Sequence, residues 1–243
     1  MDQVSTVAEA FQATAAAHPE RVALRTKGDE FSITWREYAD RVRETAEGLA
    51  ALGLERGQAM GILLTNRPEF HWFDAAALHL GATPFSLYNT YTAEQIQYQL
   101  NDAEARILVT EKAFAERVRD LDGVETMVVI EEDSLPEPPD GFDFDAAWRA
   151  VQPDDVLTLI YTSGTTGPPK GVEITHANMV ATIEGIHRII DFPDDGRLVS
   201  WLPMAHIAER NCTQYLPMFV GFSTTCCPDP RQVVAYLPEV RPT

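Results

Sequence analysis

Between Gly61 and Ile130 the chain alternates short, largely apolar runs with segments of helical spacing, without an internal sequence repeat. GILL (Gly61–Leu64), TPFSL (Thr83–Leu87), ILVT (Ile107–Thr110) and TMVVI (Thr126–Ile130) are the apolar runs. Pro68 suits the first turn of a helix reaching Leu80 and stopping at Gly81, Thr92 and Gln95 suit the start of a helix to Leu100, and a third helix is expected to run to about Leu121. Strands that alternate with helices and carry no polar face imply a parallel sheet covered on both sides. The expected fold class is therefore α/β, with mostly parallel sheet flanked by helices.

The flanking sequence extends this reading. Thr6 with Glu9, and Thr34 with Glu37, form capping-box patterns ahead of helices ending near Ala17 and Leu52, and Gly53 suits the second stop. Glu131 to Asp145 is acidic and rich in proline, which predicts a solvated surface connection. Beyond it come a strand at Leu157–Thr162, a Gly/Thr/Pro loop, the apolar run Val172–Thr175 and a helix from about Ala177 to Ile190. A strand at Arg197–Leu202, a helix from Ile207 to Phe219 ending at Gly221, and a strand at Ser223–Cys227 complete the pattern.

Composition excludes several functions. The 243 residues carry a formal net charge of -18, which repels nucleic-acid phosphates. An acidic surface still leaves room for ATP, because a few cations and backbone N–H groups suffice to hold phosphate. No stretch approaches the length of a membrane span, and the N-terminal residues lack the pattern of a signal peptide. Cys212, Cys226 and Cys227 have neither zinc spacing nor a disulfide framework and read as small strand residues in a reducing cytoplasm.

The most informative segment is LIYTSGTTGPPKGVEITH, Leu159 to His176. Glycines Gly164, Gly167 and Gly171 let backbone approach a ligand closely, Thr162, Ser163, Thr165 and Thr166 bring hydroxyl donors, and Lys170 brings a mobile cation. Together they suit an anion with many oxygens, such as a triphosphate. A Walker A loop is excluded, since Pro169 precedes the lysine, Gly171 follows it, and an apolar run rather than a helix comes next. A dinucleotide fingerprint fails for want of G-x-G-x-x-G at a helix start. The Gly-Pro-Pro-Lys-Gly half alone suits a hairpin turn; the hydroxyl cluster before it exceeds what a turn requires.

YTSGTTGPPKGV resembles the phosphate-binding signature of the adenylate-forming superfamily, which comprises acyl-CoA synthetases, luciferases and peptide-synthetase adenylation domains. ITWREY (Ile33–Tyr38) resembles the family's early Thr-aromatic-x-Glu-Leu segment. The stretch from Leu52 to Glu111 resembles its Gly-Asp, Asn-x-Pro-Glu and Gly-Ala-x-x-x-Pro landmarks, with Gln58 where aspartate is usual. WLPMAHIAER (Trp201–Arg210) is similar to a segment of the long-chain fatty-acyl branch.

The resemblance implies activation of a fatty acid by ATP to an acyl-adenylate, then transfer to CoA, with Mg2+ assisting. It implies that Thr162, Ser163, Gly164, Thr165, Thr166, Gly167, Lys170 and Gly171 hold the nucleotide phosphates. It places magnesium at a loop hydroxyl, Ser163 or Thr165, and His206 beside the acyl and adenylate pocket, with Lys170 a second catalytic candidate. Glu209 and Arg210 are expected in local polar contacts, His176 as a cap or at the surface, and Trp148 and Trp201 in the core. Residues 1–153 are expected to form a first α/β subdomain and 154–243 the start of a second.

By the same resemblance the family's adenine- and ribose-binding segments, its hinge and its C-terminal domain are absent, so the chain alone is expected not to catalyse. Other readings kept open are a non-catalytic nucleotide- or acyl-binding module and an adenylate-forming ligase for another acid. A cytoplasmic protein is expected, with peripheral membrane contact and a homo-oligomer left open.

Overall fold

A computed structural model of the chain describes residues 4–162 and 167–243. Several of its helices begin where the sequence supplies side-chain caps. Helix α1 (Val7–Ala17) and helix α2 (Trp35–Ala51) start at complete capping boxes, Thr6 with Glu9 and Thr34 with Glu37. Between them lie the short strands β1 (Val22–Thr26) and β2 (Ser32–Thr34).

The alternating region follows as β3 (Ala59–Leu63), α3 (Pro68–His79), β4 (Thr83–Ser86), α4 (Ala93–Asp102), β5 (Ile107–Thr110), α5 (Lys112–Val118) and β6 (Thr126–Val129). Its strands pair in parallel in the order β4-β3-β5-β6, as wholly apolar strands joined by helices require. A short helix α6 (Phe144–Ala150) closes the acidic connection, then β7 (Val156–Thr162) and β8 (Lys170–Thr175) form an antiparallel pair. Helix α7 (His176–His187), strand β9 (Arg197–Ser200), a three-residue turn α8 (Ile207–Glu209), a π-helical turn (Arg210–Tyr215), helix α9 (Leu216–Val220), strand β10 (Ser223–Cys226) and helix α10 (Val233–Val240) complete the order.

The second sheet runs β2-β1-β10-β9, so strands from the two ends of the chain lie side by side on both sides of residue 153. Leu24 pairs with Thr224 in parallel register. Helix α3 packs against β1 of this sheet and against β3 and β4 of the other. It is buried on every side, from Pro68 to His79 with few gaps, as a helix without a polar face must be. Ala75, Ala76 and Ala77 allow that close approach. On α1, the Phe11 ring makes edge contacts with Trp35, Tyr38 and His79 at centroid distances of 5.8, 4.9 and 5.0 Å.

The helix expected from Ile207 to Phe219 is instead three windings, α8, the π turn and α9, ended as expected by Gly221 at φ 71. The acidic stretch is exposed but not merely solvated. Glu131 pairs with Arg67 at 2.5 Å and accepts the Lys112 N–H, and Glu132 pairs with Lys112 at 2.8 Å. Cys226 and Cys227 are buried in and beside β10, whereas Cys212 is exposed in the π turn. Helix α10 exposes Val234 and Leu237. No described helix is long and apolar enough to cross a membrane.

Three imidazoles are buried here without charge. Burial pushes each of His71, His79 and His176 down to about 4. The unfolded chain protonates these rings below about pH 6.5, the folded chain only near pH 4. Their contribution is thus complete above pH 6.5 and is lost as pH falls toward 4, at about 3 kcal/mol per ring. Urea unfolding midpoints should fall steadily between pH 7 and pH 4.5; a flat profile would contradict this burial.

Candidate nucleotide and acyl site

Two segments carry the site residues, and each is tied to β4, the first also to α4 and the second also to α3. The first is the β7–β8 hairpin. Thr83 donates its hydroxyl to the Val156 carbonyl at 2.9 Å, and Thr158 donates to the Pro84 carbonyl at 2.8 Å. Tyr161, buried near the end of β7, donates its hydroxyl to the Gln99 carbonyl at 3.1 Å and the Asp102 carboxylate at 2.9 Å. Burial, with the Asp102 carboxylate alongside, raises the Tyr161 pKa well above the ordinary phenol value, so the ring is a fixed donor.

A Cβ on Gly171 would come within 3.2 Å of the Tyr161 ring. A side chain there would need the Tyr161 ring to give by a few tenths of an ångström. The ladder closes at Thr162 opposite Lys170, and both of these side chains are exposed. Gly167 has φ 110, a conformation open to glycine alone among the common residues. Lys170 makes no ion pair among the described residues. Ser163, Gly164, Thr165 and Thr166 lie outside them.

The second segment is Trp201–Arg210. His206 is exposed, and its Nδ1 accepts the Ala208 N–H at 3.1 Å as the N-cap of α8. Glu209 and Arg210 make the local polar contacts expected of them, to Trp201, Thr213 and Tyr215, and also reach across the chain. The Glu209 carboxylate accepts the Trp201 N–H at 3.0 Å, the Thr213 hydroxyl at 2.9 Å and the Asn66 amide at 3.3 Å. Asn66 also donates to the Ser200 hydroxyl and the Leu202 carbonyl, both at 2.8 Å. Burial raises the Glu209 pKa.

The Arg210 guanidinium is fully buried. It donates to Ser86 Oγ at 2.7 Å and to Tyr215 Oη at 2.7 Å, and it pairs with Asp74. Burial alone would lower its pKa, but Asp74 and Tyr215 outweigh that and hold it raised. The π turn explains the Tyr215 contact, since π winding brings residue i near i+5.

Two further expectations are corrected. His176 is neither cap nor surface residue: Thr175 caps α7, while His176 is buried and accepts the Val7 N–H at 3.1 Å. Trp201 is exposed rather than in the core, and Trp148 is only partly buried. Sequence reasoning passed over Asp74, although its signal was present, as a lone carboxylate inside the apolar helix sequence FHWFDAAALHL. Asn66 was marked only as the first residue of the Asn-x-Pro-Glu landmark, without a partner.

The AMP-binding enzyme family matches residues 11–243. The chain belongs to that family. Among AMP-binding enzymes and other relatives, uncharacterized protein Rv1549 of Mycobacterium tuberculosis is 45% identical over 118 residues, covering 49% of this chain and 67% of that protein. Fatty acyl-CoA synthetase A of Dictyostelium discoideum is 32% identical over 237 residues, covering 86% of this chain. The chain spans 35% of that relative's length. The fold matches o-succinylbenzoate CoA synthetase of Bacillus subtilis in complex with ATP and magnesium ion, with a TM-score of 0.82 and 25% identity, covering 96% of this chain and 48% of that one. Relatives with fatty-acyl names thus put this AMP-binding enzyme in the fatty-acyl-CoA synthetase branch of the adenylate-forming superfamily.

Asp74→Asn should lower the unfolding free energy by about 3–5 kcal/mol, because it leaves a buried guanidinium uncompensated. His206→Ala, which removes only a cap acceptor, should lower it by about 1 kcal/mol. Urea titration of the two variants checks the contrast; equal effects would contradict the network.

Proposed function

We propose that this chain forms the polyphosphate-binding part, and one wall of the acyl pocket, of an ATP-dependent long-chain fatty acid–CoA ligase. In that reaction a fatty carboxylate oxygen attacks the α-phosphorus of ATP and the bond to pyrophosphate breaks. The CoA thiol then attacks the acyl carbon, and AMP leaves. The first step brings an anion against a polyanion, so the site must neutralise phosphate charge.

The observation that supports this reading is the end of the β7–β8 ladder. It delivers Thr162 and Lys170 side by side and exposed, at the two ends of a segment whose sequence is Ser-Gly-Thr-Thr-Gly-Pro-Pro. A hydroxyl and a cation held on a paired base fit a phosphate chain. In this reading Ser163, Thr165 and Thr166 and the glycine N–H groups bind the β- and γ-phosphates, Lys170 adds charge, and either the Ser163 or the Thr165 hydroxyl meets Mg2+. His206, exposed beside the end of β9, faces the acyl-adenylate. The setting would be cytoplasmic. The Bacillus relative, which bears the name of an o-succinylbenzoate synthetase, makes another acid the specific rival.

The test is ATP–pyrophosphate exchange by the polypeptide at the full length of its fatty-acyl relatives, with a panel of fatty acids and o-succinylbenzoate. Long-chain acids should drive exchange and AMP release. Lys170→Ala should lower kcat/KM for ATP about tenfold or more, the worth of one charge-assisted contact. Release of ADP, or exchange without any acid preference, would contradict the proposal.

A further inference from the structure

Both limbs of the Thr162–Lys170 segment are tied to one turn of α4. On the entry limb, Tyr161 donates its hydroxyl to the Gln99 carbonyl and the Asp102 carboxylate at 3.1 and 2.9 Å. On the exit limb, Tyr98 donates its hydroxyl to the Pro169 carbonyl at 2.9 Å. The limbs are stiff for local reasons. The Tyr161 ring covers Gly171, and Pro168 and Pro169 have fixed φ after a glycine at φ 110. Helix α4 is itself well fixed, by a Thr92–Gln95 capping box and by Ile96 and Leu100 in the core.

We infer that Tyr98 is a positioning residue, whose bond to Pro169 holds the exit limb of the phosphate loop in the geometry that receives a polyphosphate. The inference rests on the reading of residues 162–171 as that loop. Its physical content is preorganisation. A limb already held in place loses less conformational freedom on binding, so the ligand binds more tightly for the same contacts. Tyr98 is half-buried and lies off the core face of α4 formed by Ile96 and Leu100. Removing its hydroxyl alone therefore leaves the packing of the helix in place.

Tyr98→Phe in the 243-residue chain tests this with two readings beside a urea midpoint. Hydrogen exchange without ligand should quicken about fivefold at the amides of Gly167, Lys170 and Gly171, with β3 and β5 unchanged, as loss of one hydrogen bond implies. Calorimetric titration with magnesium tripolyphosphate should show a Kd raised about fivefold, with the urea midpoint lowered by no more than one hydrogen bond is worth. Unchanged exchange overturns the inference, whatever the ligand does. Quicker exchange with unchanged affinity also overturns it, because the limb would then be held without consequence for the ligand. Quicker exchange in β3 and β5 as well would make the tyrosine structural and overturn it too. If the unsubstituted chain binds no polyphosphate, the loop reading itself fails and the inference with it; the exchange measurement separates that failure from the others.

Discussion

A guanidinium placed out of reach of water must be answered on every side, and the placement of Arg210 organises much of the molecule. Its partners come from the π turn, from the end of β4 and from the middle of α3. Gln214 extends the set, donating to Asp74 at 3.0 Å and to the His71 carbonyl at 3.2 Å, and Tyr38 of α2 donates to that same carbonyl at 3.0 Å. Such a network is weak evidence for stability, since desolvation opposes the Coulomb gain. Its value is geometric. A fully satisfied buried charge permits one arrangement of α3, β4 and the Trp201–Tyr215 segment, and a shift of any of them leaves a donor or a carboxylate unmet.

The same block serves both halves of the site. The Pro84 carbonyl on β4 accepts from Thr158 of the hairpin at 2.8 Å and from Arg210 at 3.4 Å. The β7–β8 hairpin and the His206 segment are thus referenced to one strand, though they lie far apart in the chain. Asn66, at the entry to α3, then ties the end of β9 to Glu209 through its amide. Sequence landmarks that look scattered along the chain meet here: Asn66 to Glu69 beside Trp201 to Arg210, and Gly171 beneath Tyr161.

Much of the fold was legible because its signals are local. Apolar runs of strand length, threonines three residues ahead of an acid or amide, and Gly53, Gly81 and Gly221 at helix ends act over a few residues, and the structure uses each of them. Strands β1 and β2 escaped notice because pairing decides them: Leu24 and Arg25 become sheet by lying beside Thr224 and Thr225. Helices α6 and α10 are short, and α10 contains Pro238, so neither announces itself by pattern. The hydroxyl-rich stretch Ser163–Thr166 lies outside the described residues, so its reading stays a proposal. The reach of Glu209 and Arg210 was not legible, nor was the burial of His176 against Val7, because polar side chains take their meaning from partners distant in sequence.

On the proposed reading, the segment between Thr162 and Lys170 grips the phosphates of a nucleotide. Chemical-shift mapping of the isotopically labelled chain during titration with magnesium ATP tests it most directly. The account predicts saturable shifts at the amides of Thr162, Gly164, Gly167, Lys170 and Gly171, with the buried Arg210 network undisturbed. Saturable shifts elsewhere that leave those glycines unmoved would contradict it.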